Sequence, residues 1–218
     1  MSRCWGAVAA GASAPARPAP LEATAPNAAR AWALACAFAA GAGLTPAVSA
    51  PAPPPRVNQC LSCHGADGRS PRPLIPHLAS QPRVFLENTM IMIREGLRPV
   101  PAKRGLLDGV GDAEVSALAE YFSRQAAPSG PAVRDEAAFQ RGQVLAAQGL
   151  CGTCHLPNYA GQQQMPRLAG QREEYLSHSM KRFRDNQAEG RDTMMNGVLR
   201  GLSDAAVADL AHYFSQLR

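Results

Sequence analysis

Large apolar side chains are scarce in this chain of 218 residues. Hydrophobic residues account for 46% of the sequence but aromatic residues for only 6%, and much of the hydrophobic fraction is alanine near the N-terminus. The length allows one large domain or two small ones. Small domains with so few bulky side chains bury little apolar surface, and they often depend on a metal or a prosthetic group for stability.

The chain also lacks any block of basic residues. The formal net charge of the whole sequence is +5, but from residue 51 onward there are 19 Lys and Arg against 16 Asp and Glu, a net charge of +3. Such a small and dispersed charge does not indicate nucleic-acid binding. We therefore expect no nucleic acid among the partners.

The most apolar run, over residues 31–44, is too short to span a bilayer comfortably. It follows Arg30 and precedes small residues that offer cleavage boxes at 45–47 and 48–50, which is the arrangement of a secretory signal. We interpret residues 1–50 as an export signal with a low-complexity leader, and this predicts a periplasmic protein. An uncleaved membrane anchor is the alternative.

The rest of the chain is an internal repeat. Three pairs of segments match at offsets of 90 to 92 residues: 60–64 with 151–155, 75–81 with 165–171, and 121–122 with 213–214. Nearly constant offsets indicate a duplicated domain with small loop insertions. The joint is a Pro/Gly/Ser-rich linker at residues 128–133. The sequence therefore predicts one domain over residues 51–127 and a second over residues 134–218.

Both halves show helical periodicity, and neither shows the alternation of a strand. The last predicted helix of each half has apolar residues at i, i+3, i+4 and i+7: Val115, Leu118, Ala119 and Phe122, then Val207, Leu210, Ala211 and Phe214. Ser203 is a suitable N-cap for the second of these helices. Further helices are predicted over 83–95, 172–186 and 134–148. The first half has no counterpart of the helix at 134–148, because proline-rich residues 51–55 take its place.

Two C-x-x-C-H motifs carry the chemistry. Their residues are Cys60, Cys63 and His64 in the first half, and Cys151, Cys154 and His155 in the second. In this motif the two thiols bond to the vinyl groups of a haem, and the histidine becomes the proximal iron ligand. A shared zinc site or a redox dithiol is disfavoured, since the motifs belong to separate repeats and no βαβ pattern surrounds them. The sequence predicts two covalent haem c groups.

The distal ligands of the two irons are expected to differ. In the second half the candidate is Met195, placed in a loop before the last helix, with Met194 as its neighbour and competitor. A thioether ligand favours ferrous iron and raises the reduction potential. The repeat places Lys103, not a methionine, at the equivalent position of the first half.

From residue 51 onward the chain resembles cytochrome c4, a family of duplicated class I dihaem cytochromes. The resemblance rests on both C-x-x-C-H motifs, the Pro-x-Leu-Ala-(Gly/Ser)-Gln segments, the Gly-Leu-Leu turn, and the Leu-Ser-Asp start of the last helix with its Tyr-Phe pair. It implies an all-α fold of two tandem class I cytochrome c domains, each around one haem. It also implies a distal methionine two residues before the Gly-Leu-Leu-like turn, a rule that Met195 meets and Lys103 does not. The carbonyls of Pro76 and Pro166 would accept the Nδ1 proton of each proximal histidine.

Haem 1 departs from the family pattern. Lys103 can bind iron only as a neutral amine, which requires its pKa to be lowered by burial and by the metal. An open or water-ligated iron is the alternative. Met90 and Met92 are the only methionines in that half and are further candidates for the distal ligand, although Met90 matches Met180 as a core residue.

These features predict a periplasmic carrier of single electrons rather than an enzyme. The expected partners are a dehydrogenase or cytochrome as donor and an oxidase or another cytochrome as acceptor, with peripheral membrane contact compatible with this role. In one alternative, haem 1 is an open or labile catalytic site for peroxide, nitric oxide or a sulfur anion. No distal histidine or catalytic cysteine supports that activity. In another, the chain is the cytochrome subunit of a dehydrogenase complex.

Overall fold

A computed structural model describes residues 52–130 and 135–218, so the leader predicted over residues 1–50 lies outside the described part. The described residues form eight α-helices. They are α1 (Val57–His64), α2 (Arg83–Arg94), α3 (Asp112–Ser123), α4 (Glu136–Gln148), α5 (Cys151–His155), α6 (Glu173–Arg184), α7 (Met194–Leu199) and α8 (Asp204–Gln216). Within the described ranges no strand is present, apart from an isolated bridge between Gln162 and Met165. The all-α prediction is confirmed.

The first half contains α1 to α3. Helix α2 packs against α3, and the buried face of α3 consists of the apolar residues that its 3.6-residue periodicity predicted: Val115, Leu118, Ala119 and Phe122. Val57 of α1 and Leu86 of α2 are buried in the same cluster as Phe122. Residues 52–56, which precede α1, contain no helix, so no described residue of this half forms a counterpart of α4.

The second half is built on the crossing of α4 and α8. The crossing is close because Gly142 of α4 has no side chain. A Cβ atom on Gly142 would meet the backbone oxygen of Asp209 and lie 2.6 Å from the Cβ atom of Tyr213. The rings of Phe139 and Tyr213 pack edge to face with centroids 5.0 Å apart. Arg141 adds a bidentate ion pair with Asp209, with N–O distances of 2.7 and 2.8 Å.

The prediction of a loop at Met195 was wrong, because Met195 lies in the first turn of α7. The N–H of Met194 donates to the Oδ1 atom of Asp192 at 2.9 Å, which helps to start this helix. A six-residue helix is too short to show a clear hydrophobic period in sequence. At the equivalent place in the first half, a 3₁₀ turn over Pro101–Lys103 is followed by irregular turns.

The two halves contact each other through two buried glutamines at equivalent positions of the repeat. The side-chain amide of Gln171 bonds to the backbone N–H and C=O of His77, at 2.7 and 2.9 Å. The amide of Gln81 bonds in the same way to the N–H and C=O of Arg167, both at 3.0 Å. The interface therefore repeats one arrangement in both directions. None of the described helices combines the length and the apolar character that crossing a membrane requires.

Candidate haem-binding sites

The first C-x-x-C-H motif forms the end of α1. Cys60 is half-buried, Cys63 is exposed and His64 is buried. The Nδ1 atom of His64 lies 2.8 Å from the carbonyl oxygen of Pro76. An imidazole nitrogen that faces a carbonyl oxygen must carry the proton, so the lone pair resides on Nε2. This tautomer leaves Nε2 free to bind a metal.

The second motif forms the short helix α5 and has the same arrangement. Cys151 is half-buried, Cys154 is exposed and His155 is buried. The Nδ1 atom of His155 lies 2.8 Å from the carbonyl oxygen of Pro166. Leu150, just before the motif, has a φ of 51°, which turns the chain from α4 into α5. Both histidines thus have the same tautomer and the same carbonyl partner.

Burial keeps both histidines in the neutral form that binds a metal. Burial, together with the charge of Lys103, lowers the pKa of His64 to about 4, and the hydrogen bond to Pro76 offsets only part of that effect. Burial likewise lowers the pKa of His155. The pKa values of the Cys60 and Cys151 thiols are raised, mainly by burial. Each motif therefore presents a neutral imidazole beside two free thiols, and these are the groups that covalent haem attachment requires.

The last helix of each half holds the loop that carries the proximal carbonyl. In the first half the N–H of Ser80 donates to the carbonyl of Phe122 at 2.9 Å, and in the second the N–H of Gly170 donates to that of Phe214 at 2.9 Å. Gly68 packs directly on the Phe122 ring, where an added Cβ would lie 2.8 Å from Cδ1. Phe122 of α3 and Phe214 of α8 thereby hold the loops whose proline carbonyls face the histidines.

On the distal side of the second half, the two adjacent methionines have different surroundings. Met195 is half-buried and packs against the core cluster of α6 and α8. Met194 is 68% exposed. Asn196 donates from Nδ2 to the Oδ1 atom of Asn186 at 2.6 Å, a contact that joins the start of α7 to the end of α6. Of the two thioethers, that of Met195 faces the protein interior.

On the distal side of the first half, Lys103 ends the 3₁₀ turn and is half-buried. Burial, and then the charge of Arg98, lower the pKa of its amine. The amine also interacts electrostatically with the thiols of Cys60 and Cys63 and with Tyr175 of the second half. Met90 packs against both core clusters of this half, so it has the environment of a core residue. Met92 is half-buried within α2.

Several buried cationic or ring nitrogens near the interface have no hydrogen-bond partner among the described residues. They are the Nε atoms of Arg98 and Arg172 and the Nδ1 atom of His77. The charges of Arg191 and Arg98 lower the pKa of Tyr175, although its burial opposes this shift. Arg98 has no ion pair among the described residues, and a buried guanidinium without a counter-charge fits an anionic ligand. The carboxylates of haem propionates have the required charge, so the residues present fit the cofactor that the two motifs imply.

Comparisons with known proteins agree with these observations. The cytochrome c family model matches residues 139–218. Cytochrome c4 of Pseudomonas aeruginosa is 32% identical over 167 residues, which cover 72% of this chain and 83% of that protein. The chain belongs to the cytochrome c4 family. The crystal structure of reduced recombinant cytochrome c4 from Pseudomonas stutzeri superposes with a TM-score of 0.69 at 31% identity, and covers 75% of this chain and 95% of that one.

A further relative has a more specific name. The thiosulfate dehydrogenase electron acceptor of Thiomonas intermedia is 28% identical over 172 residues, which cover 74% of this chain and 79% of that protein. Membership of the cytochrome c4 family confirms that this chain is a dihaem c-type cytochrome with two covalently bound haem c groups. It transfers electrons, and its partners are redox proteins.

Sequence reasoning missed the paired glutamines and the buried guanidinium of Arg98. Gln81 and Gln171 did leave a signal, since both end the repeated segment that begins with Ile75 or Met165. The segment showed the duplication, but nothing in it showed that each glutamine reaches the other half. Nothing in the sequence indicated that the guanidinium of Arg98 is buried, because arginines occur throughout the chain.

Proposed function

We propose that this cytochrome carries electrons in the periplasm and that its two irons differ in their distal ligands. The observation that carries the proposal is the presence of Lys103 where the repeat has Met195. When bound, each haem supplies a one-electron iron centre. The protein holds it by two thioether bonds, at Cys60 and Cys63 or at Cys151 and Cys154, and orients His64 or His155 through a backbone carbonyl.

For haem 2 we assign His155 and Met195 as the residues that would ligate the iron. The half-buried position of Met195 against the core supports this assignment, since the exposed Met194 has no comparable contact with the domain interior. The thioether is a soft ligand that stabilises ferrous iron. Haem 2 is therefore the centre of higher potential.

For haem 1 we assign His64 and the amine of Lys103. Burial and the neighbouring Arg98 already lower the pKa of that amine, and this favours the neutral form that can coordinate iron. An amine is a harder ligand than a thioether, so it stabilises ferric iron and lowers the potential. Electrons would then pass downhill from the first domain to the second.

The distal ligands are tested by the weak charge-transfer band at the red end of the visible spectrum, which methionine-ligated ferric haem c shows and lysine-ligated haem lacks. The oxidised protein should show the band at the strength of a single such haem. Met195→Ala should remove it, and Lys103→Met should add a second. Met194→Ala is the matched control and should leave the band unchanged. Two full-strength bands in the wild type would contradict the assignment at haem 1.

A periplasmic location follows from the predicted leader over residues 1–50. It also agrees with the use of the cysteines, since all four from residue 51 onward belong to the two haem-attachment motifs. Cell fractionation combined with N-terminal sequencing of the mature protein tests the proposal. Recovery of the full-length chain in the membrane fraction would instead support the uncleaved anchor.

For partners, we infer a dehydrogenase or cytochrome as donor and an oxidase or another cytochrome as acceptor. The similarity to a thiosulfate dehydrogenase electron acceptor supports a dehydrogenase as donor. That same similarity favours a second candidate role, as the cytochrome subunit of a stable dehydrogenase complex. Size-exclusion chromatography of the natively expressed protein separates the two roles, because a subunit elutes with its dehydrogenase and a free carrier elutes alone.

A further inference from the structure

The peptide group between Pro76 and His77 makes hydrogen bonds at both of its ends. Its carbonyl oxygen, on Pro76, faces the Nδ1 atom of His64 at 2.8 Å. Its N–H, on His77, donates to the Oε1 atom of Gln171 at 2.7 Å. Gln171 belongs to the second half of the chain. The peptide that accepts the histidine proton in one domain is thus bonded to a side chain of the other domain.

The reverse arrangement is present for the second histidine. The carbonyl oxygen of Pro166 faces the Nδ1 atom of His155 at 2.8 Å. The N–H of Arg167, in the same peptide group, donates to the Oε1 atom of Gln81 at 3.0 Å. Gln81 and Gln171 are each only 4% exposed, so water does not compete for these bonds. Among the described residues, the side-chain amide of neither glutamine bonds to the proximal loop of its own domain; only the backbone N–H does, to the carbonyl of Leu78 or Leu168.

We propose that each of these glutamines tunes the iron of the opposite domain. Hydrogen bonds in a chain polarise one another, so a peptide whose N–H is bonded has a more negative carbonyl oxygen. A stronger acceptor for Nδ1–H makes the imidazole a more electron-rich ligand, which stabilises ferric iron and lowers the reduction potential. Gln171 acts in this way on haem 1 through His64, and Gln81 acts on haem 2 through His155. Both are positioning residues, since neither contacts a ligand atom of the iron.

The crossed geometry gives this tuning a signature that a purely structural role lacks. A glutamine that only held the domains together would, when removed, affect both irons or neither. A glutamine that acted through its own domain would affect the histidine and the iron of that domain. The structure assigns each effect to the motif in the other half. This inference depends on the proximal histidines alone and stands apart from the proposed distal ligands.

The test uses the holoprotein and two variants, Gln171→Met and Gln81→Met. Each keeps a side chain of similar size but removes the N–H donor and the oxygen acceptor of the amide. The Nδ1–H resonance of each proximal histidine is followed by NMR in the reduced protein and assigned through its connectivity to Cys63 or Cys154. A redox titration followed by NMR gives the potential of each haem separately. Gln143→Met is the matched control, because Gln143 is exposed on α4.

For Gln171→Met we expect the His64 Nδ1–H resonance to move upfield and the potential of haem 1 to rise, with His155 and haem 2 little changed. Gln81→Met should give the same pair of shifts at His155 and haem 2. The control should shift neither. A shift confined to the haem of the mutated domain, equal shifts at both haems, or no shift would overturn the proposal. If a methionine variant does not retain both haems, Gln171→Asn and Gln81→Asn replace it, since the shorter amide cannot reach the opposite peptide and the same crossed shifts are expected.

Discussion

Gly142 of α4 lies directly against Tyr213 of α8, so closely that a Cβ atom on the glycine would be 2.6 Å from the tyrosine Cβ. The same added atom would also meet the backbone oxygen of Asp209. Because the obstacle includes backbone, a small side chain cannot be accommodated by rotation of a neighbour. The absence of a side chain at residue 142 therefore sets the distance between the two helices.

Gly142→Ala should destabilise the second domain even though alanine is the better helix former. Overpacking of this kind costs about 1–3 kcal/mol, which exceeds the propensity gain of at most ~1 kcal/mol. Urea unfolding of the oxidised holoprotein, followed by far-UV circular dichroism, measures the change. Gln143→Ala, at an exposed position of the same helix, should leave the unfolding midpoint unchanged. An unchanged midpoint in Gly142→Ala would contradict this view, because it would show that overpacking costs no more than the gain in helix propensity.

Removal of one attachment site should remove one haem and unfold one domain. In the double variant Cys151→Ala, Cys154→Ala, the mass should fall by one haem, and the colour that survives acid-acetone extraction should fall accordingly. Because each small core must close around a haem, the second domain should become sensitive to protease while the first stays resistant. The double variant Cys60→Ala, Cys63→Ala should reverse the pattern. A resistant second domain without its haem would contradict this view of its stability.

Lys103→Ala should make haem 1 accessible to small ligands. With the amine in place, cyanide can bind ferric haem 1 only after a slow step in which the amine dissociates. Without it, stopped-flow mixing should show fast binding to one haem per molecule. Arg104→Ala, at the exposed neighbouring position, is the control and should keep the slow phase. Fast binding in the wild type would mean that haem 1 is open, which is the condition for a catalytic role.

Acid should weaken the second domain partly through Asp204. Hydrogen bonds from Arg184 and Lys181 of α6 lower the pKa of this carboxylate at the start of α8. Since the folded-state pKa lies below the unfolded value of about 3.9, the stabilisation is present above that value and is lost as the pH falls through the folded-state pKa. Asp204→Asn should therefore flatten the dependence of urea stability on pH as the pH falls below the unfolded value. Asp108→Asn, at an exposed acid without an ion pair among the described residues, should not.

Much of this molecule could be predicted from its sequence because the deciding patterns are local. Haem attachment needs two thiols and an imidazole within five residues, and Cys60 to His64 or Cys151 to His155 supply them without reference to the rest of the chain. The buried faces of α3 and α8 follow from a period of 3.6 residues that any folded helix must obey. The repeat itself indicated two similar domains.

Other features were decided only by the tertiary structure. The six residues of α7 are too few to show a period, so their helical form depends on the contacts around Met195 rather than on their own pattern. The bonds of Gln171 to His77 and of Gln81 to Arg167 join residues 94 and 86 positions apart. A sequence motif records which groups a segment offers, but not which distant peptide they will meet. That pairing depends on how the two folded domains pack, because only a buried interface excludes the water that would otherwise satisfy both amides.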